Sequence, residues 1–240
     1  MGNIMNEKII LALDVPNSIQ AIQWVDKLKN LISFYKVGKQ LFTAEGPDVV
    51  KDIKARGCKV FLDLKFHDIP NTVAAASVEA ARIGADIINV HALGGYDMMS
   101  GAAEAVEAEA DRMGIKKPLL IAVTILTSMA QENLAETGIL NRLSDEVRAL
   151  AELAKRAGMD GVVASPQEIG LVREECGDDF IVVTPGVRPS FASKDDQKRI
   201  MTPLEAVKAG ADYLVIGRPV TKAENPETAV KMIAEEMCQE

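Results

Sequence analysis

Cysteine and histidine are scarce in this 240-residue chain, which carries three of the first and two of the second. Cys58, Cys176 and Cys238 are odd in number and show no Cys-x-x-Cys spacing, so they outline neither a disulfide framework nor, with His67 and His91, a Cys/His metal site. Long hydrophobic runs are missing too. None reaches the roughly 20 residues that span a bilayer, and the N-terminus lacks a basic stretch followed by an apolar one. Met1-Gly2 has the look of a myristoylation start, but Asn6 stands where serine or threonine is needed. Positive charge is in deficit: the net charge of −8 argues against general nucleic-acid binding. It leaves room for an anionic small substrate held in a local cationic pocket. No Gly-x-Gly-x-x-Gly follows the first apolar run, which removes the usual dinucleotide fingerprint. The expectation is a soluble, cytoplasmic protein.

Apolar residues make up 48% of the chain, ample for a sizeable core, and they fall in a repeating order. Short β-type runs at 8–13, 31–37, 58–64, 86–90, 118–125, 161–164, 180–183 and 213–216 alternate with helical patterns. The helices are read at 18–29, 40–56, 72–83, 96–113, 143–157, 166–176, 203–209 and within 225–237. Asn17 or Ser18 caps the first of them. Residues 129–141 form a polar connection with room for one short helix, and 184–199 form a long polar loop. Eight buried strands alternating with helices match a single α/β (β/α)8 TIM barrel over residues 1–240. A doubly wound open sheet competes, but has no need of eight evenly spaced units. No linker or composition shift divides the chain.

The most charged stretch, 60–72, begins as the third strand and ends in a Pro-Asn turn, reading V-F-L-D-L-K-F-H-D-I-P-N-T. Side chains two apart on a strand share a face, so Asp63 and Lys65 point the same way, with Asp68 just beyond. Charges at the end of a buried strand are costly unless they pair or act on something. Other strand ends are polar as well: Asp14, Lys36, His91, Thr127, Arg188 beyond strand seven and Arg218 after strand eight. In a barrel these ends form the working face, and the loops after strands seven and eight often hold phosphate. Gly217 would let the backbone approach an anion, and Arg218 offers a planar fork of donors. Gly46-Pro47 and Gly94-Gly95 read as turns, and His91 as a structural histidine outside the reaction.

These residues resemble the orotidine 5′-phosphate decarboxylase family over nearly the whole chain. The anchors are L-A-L-D-V-P at 11–16, Y-K-V-G at 35–38, D-L-K-F-H-D-I-P-N-T at 63–72 and N-V-H-A-L-G-G at 89–95. L-T-S at 126–128, T-P-G-V-R-P at 184–189 and V-I-G-R-P at 215–219 complete the set. A D-x-K-x-x-D run is shared with metal-dependent sugar-phosphate decarboxylases and synthases of the same superfamily; the D-I-P-N-T continuation and Lys36 separate the two.

The resemblance implies a cofactor-independent, metal-free lyase that decarboxylates orotidine 5′-monophosphate to UMP in pyrimidine biosynthesis. Lys36, Asp63, Lys65 and Asp68 would form its charged tetrad, with Lys65 as the catalytic ammonium. Asp14 and Lys36 would bind the ribose, and Thr127 the pyrimidine. Gln197, Gly217 and Arg218 would hold the phosphate, with Arg188 on the loop closing over it. It also implies a homodimer in which Asp68, Ile69 and Thr72 enter the partner's site. The competing readings are a Mg2+-dependent sugar-phosphate enzyme of the superfamily and a non-catalytic nucleotide-binding barrel.

Overall fold

The alternating pattern closes on itself. In the computed structural model, which describes residues 7–191 and 201–239, eight parallel strands pair in chain order and the last returns to the first. The strands are β1 (Ile9–Ala12), β2 (Phe34–Gly38), β3 (Lys59–Phe66), β4 (Ile87–His91), β5 (Leu119–Val123), β6 (Gly161–Val163), β7 (Ile181–Pro185) and β8 (Tyr213–Ile216). The helices around them are α1 (Ser18–Leu28), α2 (Lys39–Glu45), α3 (Asp48–Lys54), α4 (Pro70–Arg82), α5 (Tyr96–Met113) and α6 (Gln131–Glu136). They continue with α7 (Leu143–Arg156), α8 (Ile169–Cys176), α9 (Pro203–Lys208), α10 (Arg218–Thr221) and α11 (Pro226–Met237).

Period-two alternation sorts the strand residues into two cores. Ile10, Phe34, Phe61, Ile87, Ile121 and Val183 pack together in one cluster inside the barrel. Their neighbours Leu11, Tyr35, Leu62 and Ile88 belong to the larger cluster beneath the helices. Strands buried on both faces are what an all-parallel sheet requires, and they explain the unbroken apolar runs in the sequence. Truncating one of these fully buried side chains to alanine costs about 2–5 kcal/mol. β6 and β7 approach so closely at Gly161 that a Cβ there would meet the Ile181 carbonyl oxygen at 2.1 Å.

The N-terminal end of the barrel carries a repeated clamp. Gly84-Ala85-Asp86, Gly158-Met159-Asp160 and Gly210-Ala211-Asp212 precede β4, β6 and β8. Each glycine takes a positive φ (94°, 81° and 107°), the conformation that turns the chain out of a helix. Each aspartate then accepts the N–H of the second residue of the preceding strand: Val60, Leu120 and Val182, all at 2.7 Å. A cation completes each carboxylate: Lys54 at 2.7 Å, Lys117 at 3.0 Å and Arg173 at 2.7 Å. Strand N–H groups at the barrel's edge thus gain charge-assisted acceptors.

Several boundaries differ from the sequence reading, each for a local reason. The helix expected at 40–56 is two, α2 and α3, because Gly46 has a φ of 66° and Pro47 has no N–H to continue the ladder. β2 begins later and runs to Gly38, so Lys36 lies within the strand rather than at its end. β3 continues to Phe66, two residues beyond the expected end. β7 includes Thr184 and Pro185, which were assigned to the loop; Pro185 pairs with Val215 of β8 where β6 has already ended, so its missing N–H costs no ladder bond. The short helix in the 129–141 connection is α6, and Asn17 caps α1 by accepting from the Gln20 N–H at 3.0 Å.

Candidate active site

At the C-terminal end the alternation that fills the barrel with apolar groups continues into charged ones. Lys36 follows Phe34, Asp63 follows Phe61, and Asn89 and His91 follow Ile87 on the inward face. Lys36 Nζ lies 3.2 Å from Asp14 Oδ1 and 3.3 Å from Asp63 Oδ2, and Lys65 Nζ contacts Asp63 Oδ1. Charges therefore alternate along Asp14, Lys36, Asp63 and Lys65. Gly38 leaves room for this arrangement, since a Cβ there would meet Lys36 Nζ at 3.0 Å.

Asp63 is the inner member, with a side chain 12% exposed. Burial pushes its carboxyl up, but Lys36, Lys65 and hydrogen bonds from Lys65 and Asn89 outweigh that and hold it below the usual carboxylate value. Asp63 is thus an anion fixed between two ammonium groups.

Lys65 reaches this position through a backbone irregularity. Its φ of 53° is the one positive value at a non-glycine among the described residues. The β3–β4 register shifts between Leu62 and Phe66, and Lys65 N–H donates to the Asn89 side-chain oxygen at 2.8 Å. Such a conformation costs on the order of 1–3 kcal/mol and persists only where its surroundings enforce it. Alternation had placed Asp63 and Lys65 on one face; it gave no hint of this kink or of Asn89.

The charged row borders a cavity of about 280 Å3. Phe61, Val123, Val163 and Val215 supply apolar lining, and Thr127 joins them from the loop after β5. Arg188, Gly217 and Arg218 line it from the segments after β7 and β8. Gly217 packs where a Cβ would lie 3.4 Å from that of Ala12. The segment carrying Arg188 is tied at both sides. Its N–H donates to the Met201 carbonyl at 2.9 Å, and Ser190 N–H donates to the buried Glu236 carboxylate at 3.2 Å. The cavity has one anionic and cationic wall, an apolar floor and two arginines. That combination suits a planar, polar ring joined to a phosphate.

Three expected residues stay out of it. Asp68, Ile69 and Thr72 are exposed and do not line this cavity, and the Asp68 carboxylate accepts from the Ile69 N–H at 2.6 Å. Gln197 lies outside the described residues. His91 sits on the inward face with its ring 5.5 Å from that of His67. Burial, then His67, Lys65 and Lys39, push its pKa down to about 4, so it is neutral at pH 7.

Comparison with known proteins agrees with the fold. Residues 7–233 match the family model described as "Orotidine 5'-phosphate decarboxylase / HUMPS family". The chain is 56% identical over 231 residues to the orotidine 5'-phosphate decarboxylase of Syntrophotalea carbinolica, covering 96% of this chain and 95% of that one. It is similarly 56% identical to the enzyme of that name from Geobacter metallireducens, with 96% of each chain covered. Among solved structures, orotidine 5'-phosphate decarboxylase from Lactobacillus acidophilus superposes with a TM-score of 0.86 at 38% identity, over 97% of this chain and all of that one.

Proposed function

The chain belongs to the orotidine 5'-phosphate decarboxylase / HUMPS family, and on that premise we propose that it converts orotidine 5′-monophosphate to UMP and CO2 in pyrimidine biosynthesis. The observation that carries this reading is Asp63, held between Lys36 and Lys65 beside a cavity that also receives Arg188 and Arg218. The whole chain acts as one catalytic barrel.

In this reading the pyrimidine lies over the apolar floor with C6 toward Lys65, and Thr127 hydrogen-bonds the ring. Asp14 and Lys36 bind the ribose hydroxyls. The phosphate is held by Gln197, Gly217 and Arg218, with Arg188 on the loop that closes over it. Breaking the C6–carboxylate bond leaves an electron pair in an sp2 orbital that the ring does not delocalise as an ordinary enolate. The Lys65 ammonium stabilises that charge more in the transition state than in the substrate, then donates a proton to C6 while CO2 departs. Unit charges 4 Å apart interact by about 4 kcal/mol at an effective dielectric near 20. One lysine therefore supplies a few kcal/mol, and preorganisation and closure supply the rest. Asp63, anionic and paired with Lys65, fixes where that ammonium lies. Two ammonium groups flanking Asp63 also disfavour a divalent cation there, which suits a reaction without metal.

Asp68, Ile69 and Thr72 belong, in this proposal, to the site of a second copy. Their exposure supports it: Ile69 is 67% exposed, and Leu93 and Tyr96 in the next loop and helix start are also uncovered. A homodimer would cover these apolar groups and bring Asp68 toward the partner's tetrad. Mixing inactive Lys65→Ala and Asp68→Ala proteins should regenerate activity, since some mixed dimers hold one intact site. Continued inactivity despite demonstrated subunit exchange would place Asp68 in its own chain's site instead.

The reaction is tested by the absorbance change of orotidine 5′-monophosphate with purified protein, with and without EDTA. Chelator-insensitive formation of UMP is the expected result. Loss of turnover with EDTA would overturn the metal-free assignment. No turnover at all would redirect the search to sugar phosphates with added Mg2+.

A further inference from the structure

We propose that Asn89 is a positioning residue for the reaction, fixing the Lys65 main chain and the Asp63 carboxylate through the two ends of one buried amide. This rests on the reading above, in which Lys65 supplies the proton. Asn89 is wholly buried in β4. Its Oδ1 accepts from the Lys65 N–H at 2.8 Å, and its Nδ2 donates to Asp63 Oδ1 at 2.7 Å. That same Asp63 oxygen contacts the Lys65 ammonium. The three residues thus close a ring of four groups: backbone of Lys65, amide of Asn89, carboxylate of Asp63, ammonium of Lys65.

The chemistry of the ring singles out asparagine. At the register shift after Leu62, Lys65 N–H is satisfied by a side chain at a residue with a φ of 53°. A short side chain with an acceptor on one side and an uncharged donor on the other is needed. Aspartate would set a second anion against Asp63, and leucine would leave a buried N–H and a carboxylate oxygen each short of a partner. Asn89 therefore holds Lys65 in its uncommon conformation while orienting the anion that orients the ammonium.

The test measures kcat, KM and their pH dependence for Asn89→Ala and Asn89→Asp, beside UMP affinity and thermal melting of each protein. Asn89→Ala should lower kcat about a hundredfold, the scale of a small misplacement of a reacting group. KM and UMP affinity should change little, because ribose and phosphate contacts remain. Without the amide donor the Asp63 carboxyl loses a hydrogen bond that favours its anion, so the acid limb of kcat/KM should move to higher pH. Asn89→Asp should behave differently. Its carboxyl shares a proton with Asp63, so activity should rise as pH falls into the range where that pair takes one up. Unchanged kcat and acid limb in Asn89→Ala would overturn the proposal, as would a kcat loss that merely follows a loss of folded protein. Should Asn89→Ala fail to fold, the isosteric Asn89→Asp decides alone, and a flat profile overturns it. Carbon-13 NMR of the Asp63 carboxyl separates this inference from the assigned reaction. A raised titration in a variant supports the ring whether or not the wild type turns over orotidine 5′-monophosphate. An unshifted titration in a folded variant counts against the ring alone.

Discussion

The two ends of this barrel use the same residue types to opposite effect. At the N-terminal end, Asp86, Asp160 and Asp212 each accept one strand N–H and one cation, with the backbone turned by a glycine that tolerates a positive φ. At the C-terminal end, Asp63 also lies between cations, but the positive φ falls on Lys65, where a side chain makes it unfavourable. The lower aspartates satisfy the backbone. Asp63 instead receives its hydrogen bonds from the Lys65 ammonium and the Asn89 amide, both side chains. One end spends its charges on closure of the sheet, and the other keeps them aimed at a cavity. In this chain the ion pair that fronts open space is also the one with a strained backbone beneath it.

The sharpest break of this comparison is at Lys65. Lys65→Gly should reduce turnover by at least about a thousandfold, the loss expected when a preorganised charge is removed from a developing anion. The same change relieves the positive φ and leaves Asp63 paired with Lys36 and Asn89, so the protein should melt at an equal or higher temperature. Activity and stability would then move in opposite directions; a large fall in melting temperature would mean that Lys65 holds the fold together. Arg173 at the other end should do the reverse. It donates to the carbonyls of Gly210 and Phe180 as well as to Asp212, and its side chain is 13% exposed. Arg173→Ala should destabilise by about 3 kcal/mol by leaving a partly buried carboxylate and several carbonyls without it. Its kcat at a temperature where the protein stays folded should match the wild type, and a kcat loss there would couple the two ends.

The smallest effect expected is a slope in stability with pH. His91 titrates near 4 in the folded chain and near 6.5 when unfolded. Between those values the unfolded chain binds a proton that the folded one refuses, so stability should decline as pH falls from about 6.5 toward 4. His91→Gln should flatten that part of the curve in denaturant titrations at pH 7 and pH 5. An unchanged slope would assign the acid sensitivity to other groups. Asp63, held below the usual carboxylate value, loses its contribution at lower pH still, in the same direction.

Much of the site could be read from the chain alone. Asp63 and Lys65 are two apart in an apolar run, so alternation aligned them, and strand-end positions led to Asp14, Thr127, Arg188 and Arg218. Asn89 was overlooked because one asparagine in I-I-N-V-H is an ordinary strand residue until its partners are known. Its signal was the inward face it shares with Ile87. The clamps at the lower end were missed for a similar reason. Gly-x-Asp before three even-numbered strands is visible as a repeat, yet each copy taken singly reads as a helix stop and a turn. Arg173 in α8 carries no local signal of its role, because its acceptors lie up to 39 residues away in sequence.

The sequence by itself determined the barrel, since eight apolar runs between helical patterns leave few ways to bury both faces of every strand. It also determined which charges sit at the mouth, because period-two alternation is local. Tertiary structure decided how those charges meet. The kink at Lys65 depends on an amide contributed by the neighbouring strand. The row from Asp14 to Lys65 depends on three strands aligned in register, with Gly38 clearing space for Lys36. Contacts between distant segments follow from closure of the sheet, and no local pattern encodes the angle at which it closes.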